Sequence, residues 1–184
     1  FDALLIFDEV QCGMGRCGKP FAFQITGVTP DAVSLAKGLG AGIPIGALVA
    51  SEKAASAFTP GDHASTFGGN LLSAAAASVV LISLKEGRLP ANASERGEQL
   101  TAGLRELQQV FPELIIDIRG IGLMQGIELS ESAAPIIALC LKKGLLLVSA
   151  GTHIIRFVPP LTVTADEISE MLSILKSAMG ELNA

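Results

Sequence analysis

The segment Ala3-Leu4-Leu5-Ile6-Phe7 is apolar without alternation and stops abruptly at Asp8-Glu9. A continuous run of this kind predicts a strand covered on both faces within a parallel sheet, since a strand with one wet face carries polar residues at every second position. The arrangement then recurs. A loop rich in glycine (Gly13, Gly15, Gly18) is closed by Pro20, and residues 30–36 read as a second short strand. That strand ends at Lys37 and another glycine cluster, Gly38, Gly40 and Gly42. In open α/β sheets, ligands bind beyond the carboxyl ends of the strands. Asp8 and Lys37 both stand at such ends, on what should be one edge of the sheet.

Downstream, residues 45–50 form a third expected strand, with Ser51 and Glu52 as the cap and first turn of a helix. Residues 70–86 are Ala-rich and helical, with Gly87 and Pro90 as the stop. Composition changes after Pro90. A helix over 95–111 places Leu100, Leu104, Leu107 and Phe111 on one face. Strands are expected at 114–118 and 123–129 around the turn Arg119-Gly120-Ile121-Gly122. A helix over 135–143 should end at Gly144, with strands following at 145–149 and 154–158. Thr164-Ala165-Asp166-Glu167 is a capping box that opens a last helix, with Ile168, Met171, Leu172 and Leu175 on one side. The expected division is an α/β domain over 1–88 and a smaller α+β domain over 89–184.

Composition narrows the function classes. Hydrophobic residues make up 49% of the 184 positions and charged ones 17%, which excludes a disordered chain and allows a sizeable core. With no Trp or Tyr, that core must be aliphatic. A formal net charge of −5, with no basic run or stripe, argues against a nucleic-acid surface. The longest apolar stretch, 71–84, carries three serines and falls short of the ~20 residues a membrane span needs. Cys12, Cys17 and Cys140 show neither disulfide-framework nor zinc spacing, and no metal is expected; a reduced, cytoplasmic setting fits best. No signal peptide is visible, and a strand at the very start needs neighbours from elsewhere. The chain is therefore expected to be the C-terminal part of a longer protein.

Four places could carry chemistry. Asp8 ends a buried strand, where a carboxylate needs a cation or backbone donors; the plainer alternative is a loop acid or N-cap. Lys37 beside glycines that permit close approach is a candidate Schiff-base former, or else a surface lysine. Ser65 and Thr66, with the glycine pair Gly68-Gly69 before a long helix, could hold a phosphate or simply cap the turn. Arg156 in the apolar strand Ile154-Ile155-Arg156-Phe157-Val158 requires an anion, either a structural carboxylate or a substrate. Gly120-Ile121-Gly122 with Gly126 imitates a dinucleotide fingerprint, but strand-like sequence follows where a helix is required. His63 and His153 have no ligand-spaced partner.

The stretches LLIFDEVQCGMGRCG, VTPDAVSLAKGLGAGIPIGAL, GDHASTFGGN, IRGIGLMQGIEL and IIRFVPPLTVT together resemble the class III pyridoxal-phosphate aminotransferases, from one end of the chain to the other. The resemblance implies the C-terminal half of a fold-type I transferase, comprising part of the large mostly parallel sheet domain and the small α+β domain. It implies pyridoxal 5′-phosphate as cofactor and a homodimer with its site at the subunit interface. The implied reaction moves an amino group from N-acetylornithine to 2-oxoglutarate, with ornithine, succinylornithine or 4-aminobutyrate as alternative donors and a non-catalytic fragment as the alternative outside catalysis. Asp8, Glu9, Val10, Gln11, Lys37 and Thr66 then fall among the cofactor-binding positions. Asp8 pairs with the pyridine nitrogen, Val10 packs on the ring, and Gln11 meets its phenolic oxygen. Lys37 is the lysine that holds the cofactor and moves the proton, and Thr66 reaches the phosphate held by the other subunit. Ser65 lies near substrate, and Arg156 grips the substrate carboxylate. Leu71 stands where the family usually has Pro, and Cys17 where Thr is common.

Overall fold

The computed structural model describes residues 3–182 and divides after Ala91 into two units. In the first, β1 (Ile6–Asp8) pairs in parallel with β2 (Ala32–Leu35), and β2 pairs antiparallel with β3 (Ala47–Ala50). The short helix α1 (Phe23–Thr26) lies between β1 and β2 in sequence. A single 3₁₀ turn over Lys37–Gly40 follows β2, and α2 (Glu52–Ala55) follows β3, capped by Ser51, whose Oγ accepts from the Ala54 N–H. The helix α3 (Leu71–Lys85) opens on Asn70, whose Oδ1 accepts from the N–H groups of Leu72 and Ser73. The core here is Met14, Val33, Leu35, Leu39, Ala77 and Leu84.

One expectation changes in this unit. The run 3–7 was expected to be covered on both faces, yet Leu4, Leu5 and Ile6 are exposed, Ile6 by 61%. Among the described residues β1 is an edge strand, and only the central strand β2 is largely buried.

The second unit is built around helix α4 (Arg88–Val110), within which the division falls. Pro90 therefore stands in the first turn of a helix instead of stopping one. It is tolerated there because first-turn N–H groups have no intrahelical partner to lose. Four strands, β4 (Ile115–Ile121), β5 (Met124–Leu129), β6 (Val148–Ser149) and β7 (Ile154–Phe157), form an antiparallel sheet in the order β4-β5-β7-β6. Helix α5 (Ala134–Lys142) follows β5, and α6 (Ala165–Leu182) closes the unit. The capping box forms as the sequence predicts: the Glu167 N–H donates to Thr164 Oγ1, and the Thr164 N–H to Glu167 Oε2. Leu100, Leu104, Ile115, Ile127, Ile155, Phe157, Ile168 and Leu175 fill an aliphatic core. No described helix is long and apolar enough to cross a membrane.

The glycines that imitate a dinucleotide fingerprint have a packing explanation. Residues 115–129 form one hairpin whose register runs to Ile121↔Met124, so Arg119 and Gly120 belong to the strand and not to the turn. The hairpin tip presses on α4. A Cβ on Gly97 would lie 2.4 Å from the Gly122 carbonyl oxygen, and Gly120 has φ of 133°. Buried Gln125 ties the contact together, donating through Nε2 to the carbonyls of Gly97 (2.7 Å) and Gly122 (2.8 Å). Its Oε1 accepts from Thr101 Oγ1.

Gly97→Ala should therefore cost about 3 kcal/mol or more, since backbone cannot yield as a side chain can. The melting temperature should fall by ~6–12 °C. Gly180→Ala, on a face of α6 with nothing within 4 Å, should be neutral or stabilising by up to ~1 kcal/mol. Equal melting temperatures for the two variants would contradict this packing.

Candidate active site

Successive residues of a strand point to opposite faces, and at the end of β1 this separates two neighbouring carboxylates. Asp8 is exposed and Glu9 is buried at 1%. Glu9, which the resemblance places among the cofactor positions, turns its carboxylate inward. Oε2 accepts from the Ala22 N–H at 2.7 Å and Oε1 from the Phe23 N–H at 2.6 Å. The loop between them is wound tightly on Glu9: the Gly13 N–H donates to its carbonyl at 3.0 Å, and a Cβ on Gly13 would lie 2.8 Å from that oxygen. Glu9 thus anchors the glycine loop to the start of α1.

Asp8 faces the other way. Its Oδ1 accepts from the Val10 N–H at 3.0 Å and from Ser34 Oγ at 3.0 Å. The Val10 N–H, then the Ser34 hydroxyl, with a smaller contribution from the Lys37 charge, hold the carboxyl below its ordinary value. Asp8 is accordingly an anion at neutral pH. Asp8 and Glu9 both border an open cleft of about 290 Å³, lined also by Phe7, Cys12, Ala22 and Phe23. The neighbouring thiols are not poised as nucleophiles. Burial first, then Cys12 and Glu9, push the Cys17 thiol up to about 11, and burial raises Cys12 as well.

Lys37 is exposed and sits two residues past β2, after extended Ala36. Its φ is 47°, in the left-handed region that a side-chain-bearing residue adopts at a cost of ~1–3 kcal/mol. The following turn is braced from below. Buried Met14, itself at φ 54°, would meet a Cβ on Gly38 at 3.2 Å, so the turn packs closely on the loop at this glycine. Both residues singled out at the strand ends thus emerge at the same edge, with one strand pair setting their spacing.

The other positions are distributed differently. Val10 is half-buried and Gln11 exposed beside Asp8. Ser65 and Thr66 lie in the exposed stretch before α3. Because Asn70 already occupies the Leu72 and Ser73 N–H groups, a phosphate there would depend on the hydroxyls. Phe67 and Leu71 nearby are exposed by 82% and 87%. Arg156 belongs to the second unit. It lies half-buried on β7, opposite Gly126 and Val148, in the wall of a groove of about 700 Å³. Ser34 was not singled out from the sequence. Its signal is a lone hydroxyl inside the otherwise apolar strand Ala32-Val33-Ser34-Leu35.

Comparison with known proteins places these features in a family. The model for aminotransferase class-III matches residues 1–179. An acetylornithine aminotransferase of Gloeobacter violaceus is 54% identical over 97% of the chain, which spans 45% of that protein's length. The crystal structure of N-acetylornithine aminotransferase from Stenotrophomonas maltophilia superposes with a TM-score of 0.85 at 39% identity, over 98% of this chain and 48% of that one. An ornithine aminotransferase of Toxoplasma gondii, crystallized with oxidized glutathione and with partial occupancy of PLP at its active site, gives a TM-score of 0.92 at 31% identity. There the match covers 99% of this chain and 44% of that one.

The anchoring role of Glu9 is open to direct measurement on this chain. Glu9→Gln keeps one acceptor but sets an amide N–H₂ against a backbone N–H. A loss of about 2–3 kcal/mol is expected, seen as a fall in melting temperature of ~5–10 °C. A change below ~1 °C would show that the two bonds contribute nothing.

Proposed function

The chain belongs to the class III aminotransferases, and from that premise we propose that it supplies the Asp8–Lys37 edge of a pyridoxal-phosphate site in a longer enzyme. The proposed reaction transfers the terminal amine of N2-acetyl-L-ornithine to 2-oxoglutarate, giving N-acetylglutamate semialdehyde and glutamate. The higher identity to acetylornithine aminotransferases favours this donor over ornithine. The observation that carries the reading is a carboxylate held ionised at one strand end, with a lysine turned out at the next.

The donor set fits the cofactor. A protonated pyridine nitrogen calls for an anion, and two hydrogen-bond donors hold the Asp8 carboxylate in place on the sheet edge. Pyridoxal 5′-phosphate, when bound, supplies an electron sink for a carbanion at the amine-bearing carbon. Asp8 keeps the proton on the ring nitrogen and so sustains that sink. Lys37 Nζ would hold the cofactor by condensing with its aldehyde and releasing water, and would carry the proton to and from the reacting carbon. Val10 offers an apolar contact to the ring, and Gln11 a donor to its phenolic oxygen. Glu9 contributes from behind, by fixing the loop that bears both.

The remaining assignments follow the family pattern. Thr66 would donate its hydroxyl to the phosphate held by a second copy in a homodimer, with Ser65 beside the substrate. Arg156 would receive the substrate carboxylate in a planar two-bond fork that lysine cannot reproduce. A reduced cytoplasmic setting agrees with three free cysteines.

In the complete enzyme, borohydride reduction followed by peptide mapping should leave the pyridoxyl label on Lys37. Lys37→Ala should abolish turnover of N-acetylornithine while cofactor still binds through Asp8 and the phosphate contacts. Label on Lys19 or Lys53, or turnover by Lys37→Ala within ~10-fold of the parent (~1.4 kcal/mol of barrier), would overturn the reading.

A further inference from the structure

We propose that Ser34 is a positioning residue for the Asp8 carboxylate, its hydroxyl fixing the orientation in which that acid meets the cofactor. The inference rests on the reading of Asp8 given above and adds a residue that the family pattern did not bring forward.

Ser34 is the one polar residue of β2, flanked by Ala32, Val33 and Leu35, all buried. Its register partner across the parallel ladder is Asp8 itself, so the two side chains rise from the same face of the sheet. The carbonyl and the hydroxyl of Ser34 are both committed to the end of β1. The carbonyl accepts from the Glu9 N–H at 3.0 Å, and the hydroxyl donates to Asp8 Oδ1 at 3.0 Å. The backbone bond fixes where β1 ends, and the hydroxyl bond fixes how its last acid is turned. With the Val10 N–H on the same oxygen, two donors from different segments oppose rotation of the carboxyl group. Removing the hydroxyl leaves a single donor from the adjacent turn.

The bond is too exposed to serve mainly the fold. Asp8 is solvent-accessible, and an exposed hydrogen bond adds little net stability. Its effect falls on the geometry of the acid and on whatever the acid holds.

The test uses the complete enzyme, stripped of cofactor and titrated with pyridoxal 5′-phosphate. Ser34→Ala should weaken cofactor affinity roughly tenfold, the lower range for a hydrogen bond to a charged group. The melting temperature of the apoenzyme should change by less than ~2 °C. Ser34→Thr, which keeps the hydroxyl and suits a strand, should restore affinity to near the parent value. In an Asp8→Asn background, Ser34→Ala should add less than about twofold, because the residue acts through Asp8. Unchanged affinity in Ser34→Ala, a Thr variant as weak as Ala, or a lowered melting temperature with affinity intact would each overturn the proposal. If Asp8→Asn itself leaves affinity unchanged, the reading of Asp8 fails and Ser34 falls with it. If Asp8→Asn weakens binding and Ser34→Ala does not, Ser34 alone is misassigned.

Discussion

The pairing of Asp8 with Ser34 at the end of the β1–β2 ladder sets everything else at this edge. Strand alternation then forces the two adjacent acids apart, Asp8 outward and Glu9 into the protein. A slip of one residue would exchange them, exposing the anchor and burying the anion without its donors. The Glu9 backbone N–H on the Ser34 carbonyl opposes that slip, and the Glu9 carboxylate on Ala22 and Phe23 opposes it again from the far side of the loop. The glycines serve the same end. Gly13 lets the loop close on Glu9, and Gly38 lets the Lys37 turn rest on Met14. The Lys37 turn and the Glu9 loop are thus in contact, and a methyl group at Gly13 would meet the Glu9 carbonyl at 2.8 Å.

Glycine has a different use in the second unit. Gly97 allows the helix and hairpin backbones to approach within a distance no side chain there permits, and Gln125 satisfies the carbonyls of Gly97 and Gly122 brought together. The Gly-Ile-Gly pattern is thus a device of close packing. A dinucleotide site would have needed a helix N-terminus after it, and the chain continues as strand β5 instead.

Much of this was legible in the sequence because it depends on local rules. The continuous apolar run, the glycine clusters after Asp8 and Lys37, and the capping box at Thr164 each specify a nearby conformation. What was not legible depends on neighbours. The run at residues 3–7 reads as doubly buried, but burial is decided by what lies on either side of a strand, and β1 has a partner on one side only among the described residues. Pro90 reads as a stop, yet a proline three residues into a helix is equally permitted, and only the preceding Gly87 in the left-handed conformation decides between the two. Glu9 reads as a companion of Asp8 because the two are adjacent; which of them faces inward depends on the register. Ser34 passes unnoticed since a single hydroxyl in a strand gains meaning only when its cross-strand partner is known.

In the proposed role, Asp8 keeps a ring nitrogen of the cofactor protonated. The most direct measurement is ¹⁵N NMR of the complete enzyme loaded with pyridoxal 5′-phosphate labelled at that nitrogen, at neutral pH, beside its Asp8→Asn variant. A protonated ring in the parent and an unprotonated one in the variant is the predicted result. A neutral ring in the parent, or a ring still protonated without the Asp8 charge, would contradict it.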